Sequence, residues 1–247
     1  MNAFFEQVQV MFPDRLLNYI NSDILLFDDF TPALNRLPQD KPFVAVGSRW
    51  ELTVPDGINI QTEARLELLR EKALQTGKFL AHTQEYFVFR SGLYFNMLPF
   101  AVGRSAYDNW LIYEARRRGV RVINLNPMVV AVHQTHDYSY VSGWNGIFSE
   151  GPEAEANRRL IPIAIQDFCI WDSTHILTPA GFQPARGTKY LKRRILACHL
   201  FYPAVRPLTW PFVFGFRIWW FAGWVTGVIH RRLKKLLGLV GSQPSSR

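Results

Sequence analysis

The chain of 247 residues has only two cysteines, no visible internal repeat and no acidic side chain after residue 185. Cys169 and Cys198 are too few to form the disulfide framework of a small secreted domain, and their spacing does not resemble a paired-thiol metal site. We therefore expect a reducing compartment. Because 48% of the side chains are apolar, the composition excludes a disordered chain. The length suits one sizeable core with an appendage.

Charge divides the chain into two regions. Residues 1–185 carry 16 basic and 20 acidic side chains, whereas residues 186–247 carry 12 basic side chains and none that is acidic. A basic stripe over the whole domain, which is typical of nucleic-acid binders, is missing, so we expect no nucleic-acid partner. The first residues also lack the cationic lead of a secretory signal, and we expect a cytosolic body. We predict a folded domain at 1–185 and a basic helical tail at 186–247.

The tail contains a long apolar segment. From Leu208 to Ile229 it has four tryptophans and one charged residue, Arg217, and a cluster of Lys and Arg follows at 231–235. About 20 apolar residues are enough to span a bilayer, but Arg217 and Pro211 oppose insertion. Since Trp prefers the headgroup depth, we predict that residues 208–235 contact an anionic membrane surface from the cytoplasmic side, peripherally or as an anchor. The alternative is a hydrophobic helix that packs on the domain or on a second copy.

Apolar runs alternate with helical patterns in the first region. A buried strand at 16–20 is expected to end in a polar turn before a short run at 24–26, and further strands are predicted at 42–47, 85–90 and 120–132. Helices are predicted at 62–75 and 105–118, each followed by a glycine. This alternation indicates an α/β fold with functional loops at the strand ends.

The polar turn Asn21-Ser22-Asp23 is the first candidate for chemistry. Its carboxylate is held at a strand end, and hard divalent cations prefer such oxygen ligands. Asx residues after a strand also cap turns without any ligand, and that alternative stays open.

Asp108 is the second candidate, in the first turn of the predicted helix at 105–118. Its neighbours Tyr107 and Trp110 supply a partly dry wall that would raise the basicity of the carboxylate, as a general base requires. The alternative is compensation of the helix dipole.

The third candidate is the group His133, His136 and Asp137, which directly follows an apolar strand. Two imidazoles and a carboxylate within five residues favour a metal or phosphate site over a single structural histidine. The pattern alone does not choose between these sites.

Taken in order, these pieces resemble bacterial nucleotide-diphospho-sugar transferases of the GT-A type. The resemblance covers about residues 4–185. Its segments are Tyr19 to Leu26, Val46 to Trp50, Glu85 to Phe89, Pro99 to Arg104, Asp108 to Ile112 and Val132 to Tyr138.

The resemblance implies a fold and a set of site residues. The fold is a GT-A-like mixed sheet flanked by helices, in which Asp23 and His133, with His136 beside them, hold a divalent cation, Mg²⁺ or Mn²⁺, on the donor diphosphate. Asn21 occupies the position of the second acidic residue in the family's metal-binding motif, so the resemblance places it at the sugar donor. Asp108 matches the base of inverting enzymes.

Further residues follow from the same resemblance. Arg49 and Arg104 are candidates for binding the diphosphate, since a guanidinium matches phosphate oxygens in bidentate fashion, although surface ion pairs are the alternative for both. Glu85, Tyr107 and Trp110 are expected to line the acceptor pocket. Only 22 residues precede Asp23, so the N-terminal nucleotide-binding βαβ unit of the family is expected to be missing.

The function implied is transfer of a sugar from a nucleotide-diphospho-sugar to a hydroxyl of a cell-envelope or lipid-linked glycan. Two alternatives stay open. One is a metal-dependent phosphoester hydrolase that uses the histidine group with Asp23. The other is a truncated, non-catalytic remnant that acts as a membrane-bound scaffold.

Overall fold

A computed structural model describes residues 1–53, 62–134, 151–211, 213–215 and 226 of the chain. The chain divides into two compact units, Met1–Tyr190 and Leu191–Arg247. The first unit has mixed sheets flanked by helices, which confirms the α/β class expected from the sequence. Within these described ranges, no helix combines the length and the apolarity that crossing a bilayer requires.

Ten strands and six helices have both ends among the described residues, and residues 206–211 and 213–215 are also helical. The strands are β1 (Leu16–Ile20), β2 (Ile24–Leu26), β3 (Phe43–Gly47), β4 (Arg49–Leu52), β5 (Lys78–Leu80), β6 (Tyr86–Arg90), β7 (Arg121–Asn124), β8 (Ala131–Gln134), β9 (His175–Thr178) and β10 (Gly181–Pro184). The helices are α1 (Asn2–Met11), α2 (Phe30–Asn35), α3 (Glu63–Thr76), α4 (Tyr107–Arg117), α5 (Pro152–Arg159) and α6 (Thr188–Phe201). Two short 3₁₀ turns lie at Ile170–Asp172 and Pro203–Val205.

The larger sheet has six strands in the order β1-β6-β3-β7-β9-β10. Its centre is parallel, because β3 pairs in parallel with β7 and β7 with β9. The flanks are antiparallel, with β6 between β3 and β1 on one side and β10 beside β9 on the other. Every residue of β3 is buried, as a central strand covered on both faces requires.

A smaller sheet has four strands in the order β2-β8-β4-β5. Its register places His133 on β8 between Ile24 of β2 and Glu51 of β4. Helix α3 packs against this sheet with Leu69 and Ala73, which lie four residues apart and therefore on one side of the helix. The smaller sheet thus brings the segment after Asp23 next to β8.

Tyr86 explains why a glycine ends β3. Its side chain is fully buried, and a Cβ atom built on Gly47 would lie 2.1 Å from the Tyr86 hydroxyl oxygen. No larger residue fits at position 47 unless the ring moves. This close approach fixes the end of β3, where the chain turns into Ser48 and Arg49.

Strand β1 differs from the expectation of a buried strand. It is an edge strand that pairs only with β6 among the described strands, and Leu16 and Asn18 are exposed. Its continuous apolar run predicts burial on both faces, but an edge position leaves part of each face in water. The polar turn after the strand is present as expected.

Candidate functional site

Asn21 lies in the turn that follows β1, and both ends of its side chain are engaged. Its Nδ2 donates a hydrogen bond to Oε2 of Glu85 at 2.7 Å, and the hydroxyl of Tyr107 donates to its Oδ1 at 3.1 Å. The backbone N–H of Asn21 also donates to the carbonyl of Glu85. The turn is thereby attached to the start of β6 and to the first residue of α4.

Glu85 is the centre of a buried polar network. Its side chain is only 3% exposed, and Oε1 accepts a hydrogen bond from Nη1 of Arg49 at 2.7 Å. Arg49 also donates from Nη2 to Oε1 of Glu51 at 2.9 Å. Burial opposes the charge of Arg49, but these two carboxylates together raise its pKa. The guanidinium is therefore held permanently charged between two acids.

Asp23 pairs with His133. Its Oδ2 lies 3.1 Å from Nε2 of the histidine, which is itself almost completely buried on β8. The hydrogen bond from His133 lowers the pKa of Asp23, and the positive charge of Arg49 acts in the same direction. Asp23 is 39% exposed, so an ionised carboxylate faces solvent at this point.

The pKa of Asp108 is shifted in the opposite direction from that of Asp23. Desolvation raises its pKa to about 6, and the negative charge of Glu85 adds to the effect, whereas backbone N–H groups at the start of α4 oppose it. Ala106, two residues before Asp108, has a positive φ of 88° and is buried. An L-residue rarely adopts this conformation, so the bend that aims the first turn of α4 is strained.

These contacts form one continuous cluster. Tyr107, beside Asp108, reaches Asn21, Asn21 reaches Glu85, and Glu85 reaches Arg49, whose charge acts on Asp23. Residues predicted separately from 21–23, 85 and 133 thus join one network, and Asp108 is close enough for the charge of Glu85 to act on it. Convergence of this kind is what a shared catalytic pocket requires.

Two predicted site residues, Arg104 and Trp110, make other contacts. Arg104 forms an ion pair with Glu153 at 2.7 Å, which is the surface alternative considered for it. Trp110 is buried and packs against the rings of Tyr94 and Phe100, so its contacts are those of the core. His136 and Asp137 lie outside the described residues, as does most of the tail segment 208–235.

The fit of a divalent cation can be tested on the Asp23–His133 pair. Neighbouring ligands about 2.1 Å from an octahedral ion lie about 3 Å apart, and the observed separation of Oδ2 and Nε2 is 3.1 Å. The two side chains therefore fit as two of the ligands, and a bound cation would replace the hydrogen bond between them. Among the described side chains, no group of three or more His, Cys, Asp or Glu is placed to hold a metal ion. Further ligands would have to come from a phosphate, water or other parts of the chain.

Glu51 and Tyr19 are the parts of the cluster that sequence reasoning missed. Glu51 holds Arg49, and the Tyr19 ring lies edge-on against Tyr107 with centroids 5.8 Å apart. The spacing of Arg49 and Glu51 is a signal that was available, since residues i and i+2 of a strand share one face. Nothing in the local sequence marks Tyr19 as a neighbour of a residue 88 positions away.

Comparison of the chain with models of protein families, with curated proteins and with solved structures finds no match. What the cluster can do follows from its side chains. It contains an exposed carboxylate beside an imidazole, a carboxylate that binds a proton near pH 6, and a guanidinium fixed between two acids.

Proposed function

We propose that the chain is a GT-A-like glycosyltransferase domain that moves a sugar from a nucleotide-diphospho-sugar to a hydroxyl acceptor. The observation that carries the proposal is that Asp108, whose pKa is raised to about 6, lies within the electrostatic reach of Glu85, which in turn holds the Arg49 whose charge acts on Asp23. Two carboxylates with opposite pKa shifts in one site favour separate roles in proton transfer and charge stabilisation.

In the proposed reaction Asp108 is the general base. The acceptor oxygen forms a bond to the anomeric carbon as the bond from that carbon to the diphosphate breaks, and the electron pair leaves with the diphosphate. Asp108 takes the proton of the acceptor hydroxyl. A carboxylate with a pKa of about 6 is ionised at neutral pH and is a stronger base than an ordinary aspartate.

The diphosphate end is assigned to the other half of the cluster. Asp23 and His133 are the residues that would hold Mg²⁺ or Mn²⁺, which when bound supplies a Lewis acid for the leaving diphosphate. Arg49 has its guanidinium oriented by Glu85 and Glu51, and it contributes positive charge near Asp23. Its position suits contact with phosphate oxygens.

The acceptor class comes from the tail. Twelve basic and no acidic side chains follow residue 185, together with the tryptophan-rich segment 208–229. A tail of this composition favours the cytoplasmic face of a membrane, where a lipid-linked or cell-envelope glycan is the natural acceptor.

The test is transfer of radiolabel from a panel of nucleotide sugars by the full chain, with Mn²⁺ or Mg²⁺ and membrane lipid extracts as acceptors. We expect transfer by the wild type and a loss of about 10²- to 10⁴-fold in Asp108→Asn. Asp40→Asn is the matched control, because Asp40 is an exposed carboxylate paired with Arg121. Absence of transfer from every donor would contradict the proposal, and release of label without any acceptor would favour a hydrolase.

A further inference from the structure

Helix α6 exposes an apolar stripe in the second unit of the chain. Leu191 and Ile195 are 57% and 46% exposed. At about 100° per residue, these positions fall within about 40° of one another around the helix axis. Ala197, on the other side of α6, is buried. The stripe therefore lies on the side of α6 opposite to Ala197.

Exposed apolar side chains also occur on the helical residues that follow α6. Leu208, Trp210 and Phe214 are 73%, 60% and 51% exposed, and the rings of Trp210 and Phe214 stack with centroids 5.3 Å apart. Exposure of several large apolar side chains within one short stretch is unusual for a soluble surface and indicates an interaction site.

Charge restricts what this surface binds. Lys192 and Arg194 lie on either side of the apolar stripe, at about 100° and about 60° from Leu191 around the helix. The chain from 186 to 247 has twelve basic residues and no acidic one. The composition of residues 186–247 therefore favours a partner that offers negative charge at its surface and an apolar phase beneath it.

We propose that α6 and the helical residues after it dock on the surface of an anionic lipid bilayer, with Leu191, Ile195 and Trp210 inserted at the headgroup boundary. The sequence predicted membrane contact for residues 208–235, and the structure extends the surface upstream to Leu191. This docking does not depend on sugar transfer, whereas the acceptor class proposed above does depend on membrane contact.

A bilayer fits this surface better than the other anionic or apolar partners. A nucleic acid supplies phosphates, but aliphatic side chains such as Leu191 and Ile195 gain little from them. A second copy of the chain that docked through the same stripe would supply apolar surface, but its residues 186–247 would bring twelve like charges and no acid against those of the first copy. Basic residues beside aliphatic and aromatic ones are the composition of interfacial helices.

The test is co-sedimentation of the full chain with vesicles of phosphatidylcholine, with and without phosphatidylglycerol. We expect binding to the anionic vesicles that weakens as ionic strength rises. The double variant Leu191→Glu with Ile195→Glu should bind at least about tenfold more weakly, because it removes two inserted side chains and adds two negative charges.

A matched control is available on α3. Leu68 and Leu74 are 65% and 43% exposed on that helix, so Leu68→Glu with Leu74→Glu makes the same chemical change at comparable exposure. The control should bind like the wild type. Equal losses in the two double variants, or no loss in the α6 variant, would overturn the proposal. Tighter binding to a single-stranded RNA than to the vesicles would also overturn it.

A second measurement covers the case in which the α6 double variant does not fold. Ile195→Cys in a Cys198→Ser background carries an environment-sensitive NBD label, since Cys169 is buried. The label should shift to the blue and brighten on anionic vesicles, whereas the same label on Leu74→Cys should not change. An unchanged label at position 195 would show that this face stays in water and would end the proposal.

Discussion

Asp23 and Asp108 are the same residue type, both linked to the network around Glu85, and the structure shifts their pKa values in opposite directions. A hydrogen bond from His133 lowers the pKa of Asp23, whereas desolvation raises the pKa of Asp108 to about 6. The difference shows that the surroundings, and not the residue type, determine which carboxylate is the stronger base. In a site that needs both a charge stabiliser and a proton acceptor, this division assigns the two roles.

The cause of the difference lies in the neighbours of each carboxylate. Asp23 is partly exposed and has an imidazole beside it, while the charge of Arg49 also stabilises its ionised form. Asp108 lacks a cation among the groups that shift its pKa, and Glu85 adds a like charge. Glu85 therefore affects both sides of the comparison, since it orients Arg49 and raises the pKa of Asp108.

The largest expected effect on stability comes from Asp108→Asn. Because the folded state raises the pKa of Asp108, its contribution to stability is complete below pH 3.8 and is lost as the pH rises through about 6. At pH 8 the ionised carboxylate costs up to about 3 kcal/mol, and the neutral amide removes that cost. Urea unfolding should show the variant more stable than the wild type at pH 8 and equal to it near pH 4. A variant less stable at pH 8 would contradict the pKa assignment, and Asp40→Asn, an exposed carboxylate, should show no such gain.

Glu85→Gln should have a smaller effect and the opposite sign. It removes the charged acceptor of Arg49 and Asn21, and loss of a buried hydrogen bond to a charged group costs about 2 kcal/mol. The same change removes a like charge near Asp108 and should lower its pKa, so the rise of transfer activity with pH should move to lower pH. The control Glu67→Gln breaks the exposed pair with Arg70 and should cost less than about 0.5 kcal/mol. An unchanged pH profile in Glu85→Gln would show that the charge of Glu85 does not act on the pKa of Asp108.

The smallest effect is expected for Asp23→Asn. Because the folded state lowers the pKa of Asp23, its stabilising contribution is present above pH 3.8 and is lost as the pH falls through the folded pKa. The carboxylate is 39% exposed, so water screens the pair with His133, and the variant should lose less than about 1 kcal/mol at neutral pH. Urea unfolding at neutral pH and at acid pH measures this loss and its decrease as the pH falls. A gain in stability at neutral pH would show that the folded state does not favour ionised Asp23, and would contradict the opposite pKa shifts of the two carboxylates.

The local elements of the first unit were largely predictable. The apolar run at 42–47 became β3, the helical spacing at 62–75 became α3, and the pattern at 105–118 became α4, each displaced by one or two residues at its ends. These signals are local, because the period of apolar side chains reports which face of a segment is buried. The same signals do not report sheet order, so the edge position of β1 was not foreseen.

Partners within the site were harder to predict than its members. Asn21, Asp23, Asp108 and His133 were all chosen from sequence, but the central place of Glu85 depends on contacts 36 and 64 residues distant in the chain. Arg104 shows the converse, since its partner Glu153 is set by the packing of α5 and not by its own neighbours. A sequence shows which residues are polar, but the tertiary structure determines which group becomes the hydrogen-bond or ion-pair partner of each one.

The positive φ of Ala106 has a consequence for engineering. A glycine would adopt that bend without steric cost, so Ala106→Gly is the obvious substitution in a search for a more heat-resistant protein, worth about 1 kcal/mol of relieved strain. It would also make the bend between the preceding loop and the helix that carries the proposed base more flexible. Thermostability screens at this joint would therefore favour molecules whose base is aimed less accurately.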